Sequence, residues 1–290
     1  MNSYGTRPPG DRRRSQEEHS ATRRRVRFDA SIRELAENPN VYQPLAAGRE
    51  LLTDPAGRFA IYLAAGTGPR SATVQRVRLG DDDVADAVLE IRTILGERGR
   101  TGCEWELGES CTPPDLVSRL AMLGVVPDED EPVATGMVLA AGLDLAPPPG
   151  VSARSVDSVE ELVEARRIQS DAFGGVSEVV ALAQAEADFV AEGVLGSTFL
   201  AFVAETPVAA AYSSYTPLGV LLFGGATLAS SRGRGAYRAL VAARALDAAE
   251  RGTPVLVTHA GQMSRPILER LGFTPVARID RLLDVFEAET

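Results

Sequence analysis

The sequence predicts an α+β fold made of two similar halves behind a basic head. Three observations predict it. Residues 151–290 alternate strand-like and helix-like segments in one continuous order, and residues 97–139 repeat part of that order. A proline-stiffened stretch, Ala141 to Gly150, separates the two. At 290 residues the chain is long enough for two domains of ordinary size, and its 44% hydrophobic content is that of a soluble globular protein.

The head comes first. Residues 1–27 hold eight arginines against Asp11, Glu17 and Glu18, about +5 in a chain of formal charge −10, so the body that follows is strongly acidic. With Pro8, Pro9 and few apolar residues, residues 1–28 are expected to form a disordered, solvated tail whose contact with RNA or acidic lipid would be weak. The acidic body argues against nucleic acid as the main partner. No apolar run is long enough to span a bilayer, and Met1 to Arg14 has no apolar core behind its charge, so the expected compartment is the cytoplasm. Cys103 and Cys111 should be reduced there. Their spacing, with no histidine nearby, is not a zinc pattern, and no metal site is expected.

In the first half, a helical pattern closes at Glu97-Arg98-Gly99-Arg100-Thr101 and the strand-like Cys103 to Leu107 follows. Asp115 to Leu123 reads as a short amphipathic helix ending in Leu123-Gly124-Val125-Val126-Pro127, and Val133 to Leu139 as an apolar strand. Past the linker, Val151 to Val156 reads as a strand. Ser158 with Glu161 forms a capping box for a helix running to about Phe173, which Gly174-Gly175 breaks. Ser177 to Val190 reads as a second helix. Thr198 to Ala204 and Val208 to Tyr215 read as strands joined through Glu205-Thr206-Pro207.

The apolar run Val220 to Leu228 then reads as a buried strand, followed by Ala229-Ser230-Ser231-Arg232-Gly233-Arg234-Gly235 and a helix from Gly235 to Arg251. A helix opening offers unpaired N–H groups and the positive dipole end, both of which attract phosphate oxygens. Gly233 and Gly235 let the backbone approach those oxygens, and Arg232 and Arg234 add positive charge. A dinucleotide fingerprint needs a glycine where Arg238 stands, and a Walker loop needs a lysine that this chain lacks. Gly252 ends the helix, Pro254 to Thr258 is a β-branched strand, Arg265 to Leu271 a helix, and Val276 to Leu283 a last strand.

Arg232 and Gly235 resemble the acyl-CoA loop, Gln/Arg-x-x-Gly-x-Gly/Ala, of the GNAT N-acetyltransferase superfamily, with Tyr237 departing in the final slot. The element order, including Leu271-Gly272-Phe273 before the last strand, is similar to the same family across residues 151–290. The resemblance implies two GNAT-like domains, 29–145 and 146–290, each a mixed, mostly antiparallel twisted sheet flanked by helices. The end of the first helical pattern echoes Glu250-Arg251-Gly252-Thr253, and Leu123-Gly124 echoes Leu271-Gly272, with a five-residue insertion between the two echoes in the first copy. Counting back, Asp82 within Asp81-Asp82-Asp83 stands where Gly235 does. The carboxylates suit helix caps and would repel a pyrophosphate, so the first domain reads as a scaffold without coenzyme binding.

The family implies acetyl-CoA as cosubstrate and an amine as acceptor. By resemblance, Thr227, Leu228 and Ala229 would meet the pantetheine, and Arg232, Gly233, Arg234, Gly235, Ala236 and Tyr237 the pyrophosphate. Relatives carry a glutamate in the strand before the loop, where Val220 to Ala226 has no ionisable group. They also carry a tyrosine where Leu268 stands and an asparagine where Gly261 stands. Candidate catalytic residues are His259, whose pKa class suits a base, and Ser264, which fits either a bond near the thiol or a helix cap. Tyr212 and Tyr215 fit the acceptor side or packing, and Glu186, Asp188 and Glu192 an amine-attracting or a solvated face. A water chain without a dedicated base also fits. Two readings stand: an acetyl-CoA-dependent N-acetyltransferase acting on a small or polypeptide primary amine by direct attack in a ternary complex, and a non-catalytic CoA-binding or regulatory module. The residues do not specify the oligomeric state.

Overall fold

The computed structural model describes residues 28–140, 145–174, 182–253 and 255–286. Residues 1–27 of the predicted tail, residues 177–181 of the predicted Ser177–Val190 helix and Pro254 of the predicted Pro254–Thr258 strand therefore lie outside the described residues, as do residues 141–144 of the linker. In chain order the elements are α1 (Ala30–Glu37), α2 (Pro39–Tyr42), β1 (Glu50–Thr53), β2 (Ala60–Leu63), β3 (Ala72–Gln75), α3 (Val84–Gly96), β4 (Gly102–Leu107), α4 (Leu116–Met122), β5 (Val126–Pro127) and β6 (Val133–Ala140). Then come β7 (Val151–Ser155), α5 (Val159–Phe173), α6 (Leu182–Phe189), β8 (Gly196–Val203), β9 (Thr206–Tyr215), β10 (Val220–Thr227), α7 (Ala236–Glu250), β11 (Val255–Ala260), α8 (Arg265–Arg270) and β12 (Thr274–Val285).

Local chemistry sets these boundaries. Ser158 Oγ accepts from the Glu161 N–H at 3.3 Å, and the Glu161 carboxylate accepts from the Asp157 N–H at 3.1 Å, a capping box displaced by one residue. Ala204 and Glu205 both take positive φ, 48° and 68°, the geometry of a two-residue hairpin, so Thr206 and Pro207 belong to β9. Asp29 caps α1 through the Ile32 N–H at 2.9 Å. The acidic trio behaves otherwise: Asp83 turns its carboxylate back to the Gly80 N–H at 3.2 Å, and Asp81 meets Arg119.

All twelve strands among the described residues join one sheet, in the order β1-β2-β3-β4-β12-β6-β11-β10-β9-β8-β7, with β5 also on β12. Only β3/β4 and β10/β11 pair in parallel; every other pairing between strands is antiparallel. The fold is α+β, with a mixed, mostly antiparallel sheet. The two final strands exchange places: β6 of the first half pairs with β11, and β12 of the second half pairs with β4. Alternation along the strands separates the faces. Ala209 and Ala211 pack beneath α7 while Ala210 packs beneath α5, and Leu256 faces α7 while Val255 and Val257 face α1. One face carries α3, α4, α7 and α8; the other carries α1 and α5. The small residues Ala236, Ala239, Ala245 and Ala248 let α7 lie close on its strands.

The repeat in the sequence is a repeat in backbone geometry. Gly99 and Gly252 have φ of 67° and 71°, Gly124 and Gly272 of 86° and 97°. In each pair the same hydrogen bonds close the turn, with Val125 N–H to Leu120 O and Phe273 N–H to Leu268 O at 3.1 and 3.0 Å.

Candidate functional site

The site begins where β10 leaves β11. The two strands pair only at Val220 with Leu256 and Leu221 with Val257, and then diverge. The pairing of β10 with β9 shifts register between Phe223 and Ala226, which bends the strand away. Thr258 Oγ1 donates to the Leu222 carbonyl at 3.0 Å and closes the apex of this fork. Beyond it the β11-facing edge of β10 has no strand partner among the described residues. Thr227 Oγ1, at the open end, is buried with no hydrogen-bond partner among the described residues, a cost that a ligand amide would relieve.

The strand then turns through Ala229–Ser231 into Arg232-Gly233-Arg234-Gly235. Gly233 and Gly235 take φ of 77° and 87°, the left-handed region where a Cβ is penalised. Gly235 is the N-cap of the fifteen-residue α7 and supplies no side chain to its opening N–H groups. Arg232, Arg234 and Arg238 are exposed, and among the described residues none has a carboxylate within salt-bridge distance. Among the described residues most other arginines are paired with carboxylates, so three free cations at one helix opening favour an anion there. Pro148 of the linker packs beside the loop, its ring where a Gly235 Cβ would stand. The Tyr237 ring lies against Gly225, its Cε2 2.7 Å from the corresponding position.

The first half has the same fork, and it is filled. β3 and β4 pair only at Thr73 with Glu104 and Val74 with Trp105. The edge beyond is taken by Thr112, whose N–H donates to Val77 O and whose O accepts from Leu79 N–H, both at 3.2 Å; its Oγ1 bonds Leu79 O at 2.9 Å. Thr112 lies in the loop of residues 108–115, against residues 261–264 in the second half, so most of the five-residue insertion forms this plug. Ser110 ties the plug to Glu37 of α1 and to Arg78. A cleft of about 470 Å³ opens beside the plug, lined by Leu107 to Pro114, Val117, Arg278 and Asp280, away from the β10/β11 fork.

His259 points to the opposite face from α7. Its Nε2 lies 2.9 Å from the Ala36 carbonyl and its Nδ1 3.6 Å from Glu106 of β4. Burial disfavours the imidazolium, but Glu106 and the Ala36 carbonyl outweigh it, and the pKa lies above its ordinary value. Glu106 is 6% exposed; burial raises its pKa, while His259, Arg281 and Gln75 together hold it below the usual carboxylate value. Arg281 of β12 also reaches Glu104, and Glu131 at 2.7 Å. This charged seam joins the halves and was not anticipated; the alternation Glu104-Trp105-Glu106 in a core strand was the available signal.

Ser264 occupies the N-cap of α8 without capping it, its Oγ 3.4 Å from the Gly261 carbonyl. Leu268 of α8 is buried in the core that α8 shares with α7. Tyr212 leans over Gly196, and Tyr215 donates to Asp247 at 2.8 Å and stacks under Arg251. Asp188 pairs with Arg166 at 2.6 Å, Glu192 accepts from the Thr198 N–H and hydroxyl at 2.6 and 2.7 Å, and Glu186 is exposed. The structure thus brings Thr227 to Tyr237 together at one fork and helix opening, with His259 on the other face of the sheet. Among the described residues, no helix is long and apolar enough to cross a membrane, and no group of three or more His, Cys, Asp or Glu forms a metal cluster.

No family model and no curated protein matches the sequence. Solved structures do match its fold. A GCN5-related N-acetyltransferase from Kribbella flavida superposes with a TM-score of 0.61 at 23% identity, over 82% of this chain and 90% of its own. A tandem GNAT protein from the clavulanic acid biosynthesis pathway superposes with a TM-score of 0.56 at 15% identity, over 90% of each chain. A GCN5-related N-acetyltransferase from Sphaerobacter thermophilus gives 0.56 at 14% identity over 85% of each. With its repeated halves and its two forks, the chain has the tandem fold of the GCN5-related N-acetyltransferases.

Proposed function

We propose that the second half binds acetyl-CoA at the β10/β11 fork and transfers the acetyl group to a primary amine by direct attack in a ternary complex. The observation that carries this reading is the coincidence at one place of an open strand edge, an orphaned Thr227 hydroxyl, a left-handed Gly-x-Gly turn and three unpaired arginines. In this reading the N–H groups at the opening of α7, with Arg232 and Arg234, hold the pyrophosphate, and Thr227, Leu228 and Ala229 receive the pantetheine. The thioester supplies the activated acyl carbon. The fork fixes it in position, and positioning removes much of the barrier to amine attack. The amine proton leaves through water, since β10 carries no ionisable side chain and His259 is held by Ala36 and Glu106.

Acyl-CoA consumption against a panel of small amines and peptide N-termini tests the reading; calorimetry should find one site per chain. Two equivalent sites, or no consumption with any amine despite tight binding, would refute it, the latter in favour of a CoA-binding module. His259→Ala should leave kcat within about threefold, because general-base loss costs about 100-fold or more. Its thermal midpoint should fall, since Glu106 loses a buried partner. A 100-fold loss of kcat in a folded variant would make His259 the base.

A further inference from the structure

A polar side chain of α5 reaches β10 at the place where that strand has lost its neighbours. Phe223 pairs with Tyr212 and Ala226 with Ala210, while β11 follows β10 only as far as Leu221. Among the described residues, Gly224 and Gly225 therefore have no register partner on either side, although β10 is an interior strand. Gly224 takes φ of 58° and is exposed, whereas Leu221 and Leu222 just before it are buried. Gln169 Nε2 donates to the Gly224 carbonyl at 2.8 Å.

The helix that delivers this amide is firmly held. Leu162, Ala165 and Ile168 of α5 pack with Leu200 and Ala210, and Ala210 is the partner of Ala226 at the end of the bulge. Gln169 stands four residues after Ala165, on the same side of the helix. A Cβ at Gly224 would run into its amide, so the glycine is what lets helix and strand meet. The peptide between Gly224 and Gly225 is trans, so holding its carbonyl also fixes its N–H, which points the opposite way. Between two glycines and without a strand partner, that peptide would otherwise turn with little resistance. An acyl group carried into the fork past Thr227 reaches Gly225 and Gly224 before the apex at Leu222.

We propose that Gln169 is a positioning residue: by holding the Gly224 carbonyl it fixes the unpartnered peptide of β10, and with it the acyl carbon that the amine attacks. This rests on the acetyl-transfer reading above. Gln169 touches no reacting atom and acts through the strand, so its loss falls on turnover and spares the pyrophosphate contacts at the opening of α7.

Gln169→Leu removes the donor and keeps most of the volume. It should bind CoA within about threefold of the parent by calorimetry and lose about tenfold or more in kcat, with KM for acetyl-CoA changed less than about threefold. Gln169→Glu places there a carboxyl that donates only when protonated, and the carbonyl beside it favours that form. Its kcat should match that of Gln169→Leu near about pH 8 and exceed it by about threefold or more near about pH 5. The ratio of the two variants cancels the titration of the amine, which both share. A kcat for Gln169→Leu within threefold of the parent, a loss of CoA affinity as large as the loss of kcat, or a ratio flat with pH overturns the proposal. A parent chain that binds CoA and acetylates no amine refutes the acetyl-transfer reading itself, and the proposal falls with it.

Discussion

Replacing Gly235 by aspartate should abolish CoA binding. The backbone there has φ of 87°, so any side chain is strained, and its Cβ would run into the Pro148 ring. The carboxylate would also enter an opening where three arginines and the helix dipole favour an anion. Arg232→Ala removes one charge-assisted contact and should weaken binding by about 1–3 kcal/mol. Calorimetric titration of both variants checks the pair; retained affinity in Gly235→Asp would place the ligand elsewhere.

Arg281→Ala should be the most destabilising single change at the seam, by about 3–5 kcal/mol, because Glu104 and Glu106 would keep buried charge without their guanidinium. Urea unfolding measures it. The same seam gives a pH signature. Glu106 is held below its ordinary value of 4.5, so its stabilisation is present above that value and lost as pH falls through the lower folded value. His259 is held above its ordinary value of 6.5, so its stabilisation is present below that value and lost as pH rises through the higher folded value. The pair therefore contributes fully between the two ordinary values, and Glu106→Gln should flatten both limbs of the stability profile. An unchanged profile would separate the seam from the pH dependence.

Local signals were legible in the sequence. The Arg-Gly-Arg-Gly turn, the Ser158 cap, the glycine stops and the Leu-Gly echoes each act within a few residues, and each fixes its backbone in the place expected. The five-residue insertion was legible as a length difference, while its role as a plug depends on Thr112 bonding Val77 and Leu79 some thirty residues earlier. The exchange of β6 and β12 is wholly non-local. It carries His259 against Glu106, a partner more than a hundred residues away in the chain that no spacing pattern announces. Tyr237 stood out as a departure from the loop pattern, but only packing shows Gly225 beneath its ring.

A structure of the chain with CoA tests the central claim most directly. One ligand is expected, with its pyrophosphate on the N–H groups of residues 233–237 and its pantetheine entering between β10 and β11 past Thr227. A ligand between β3 and β4, or pyrophosphate density at residues 78–84, would contradict it.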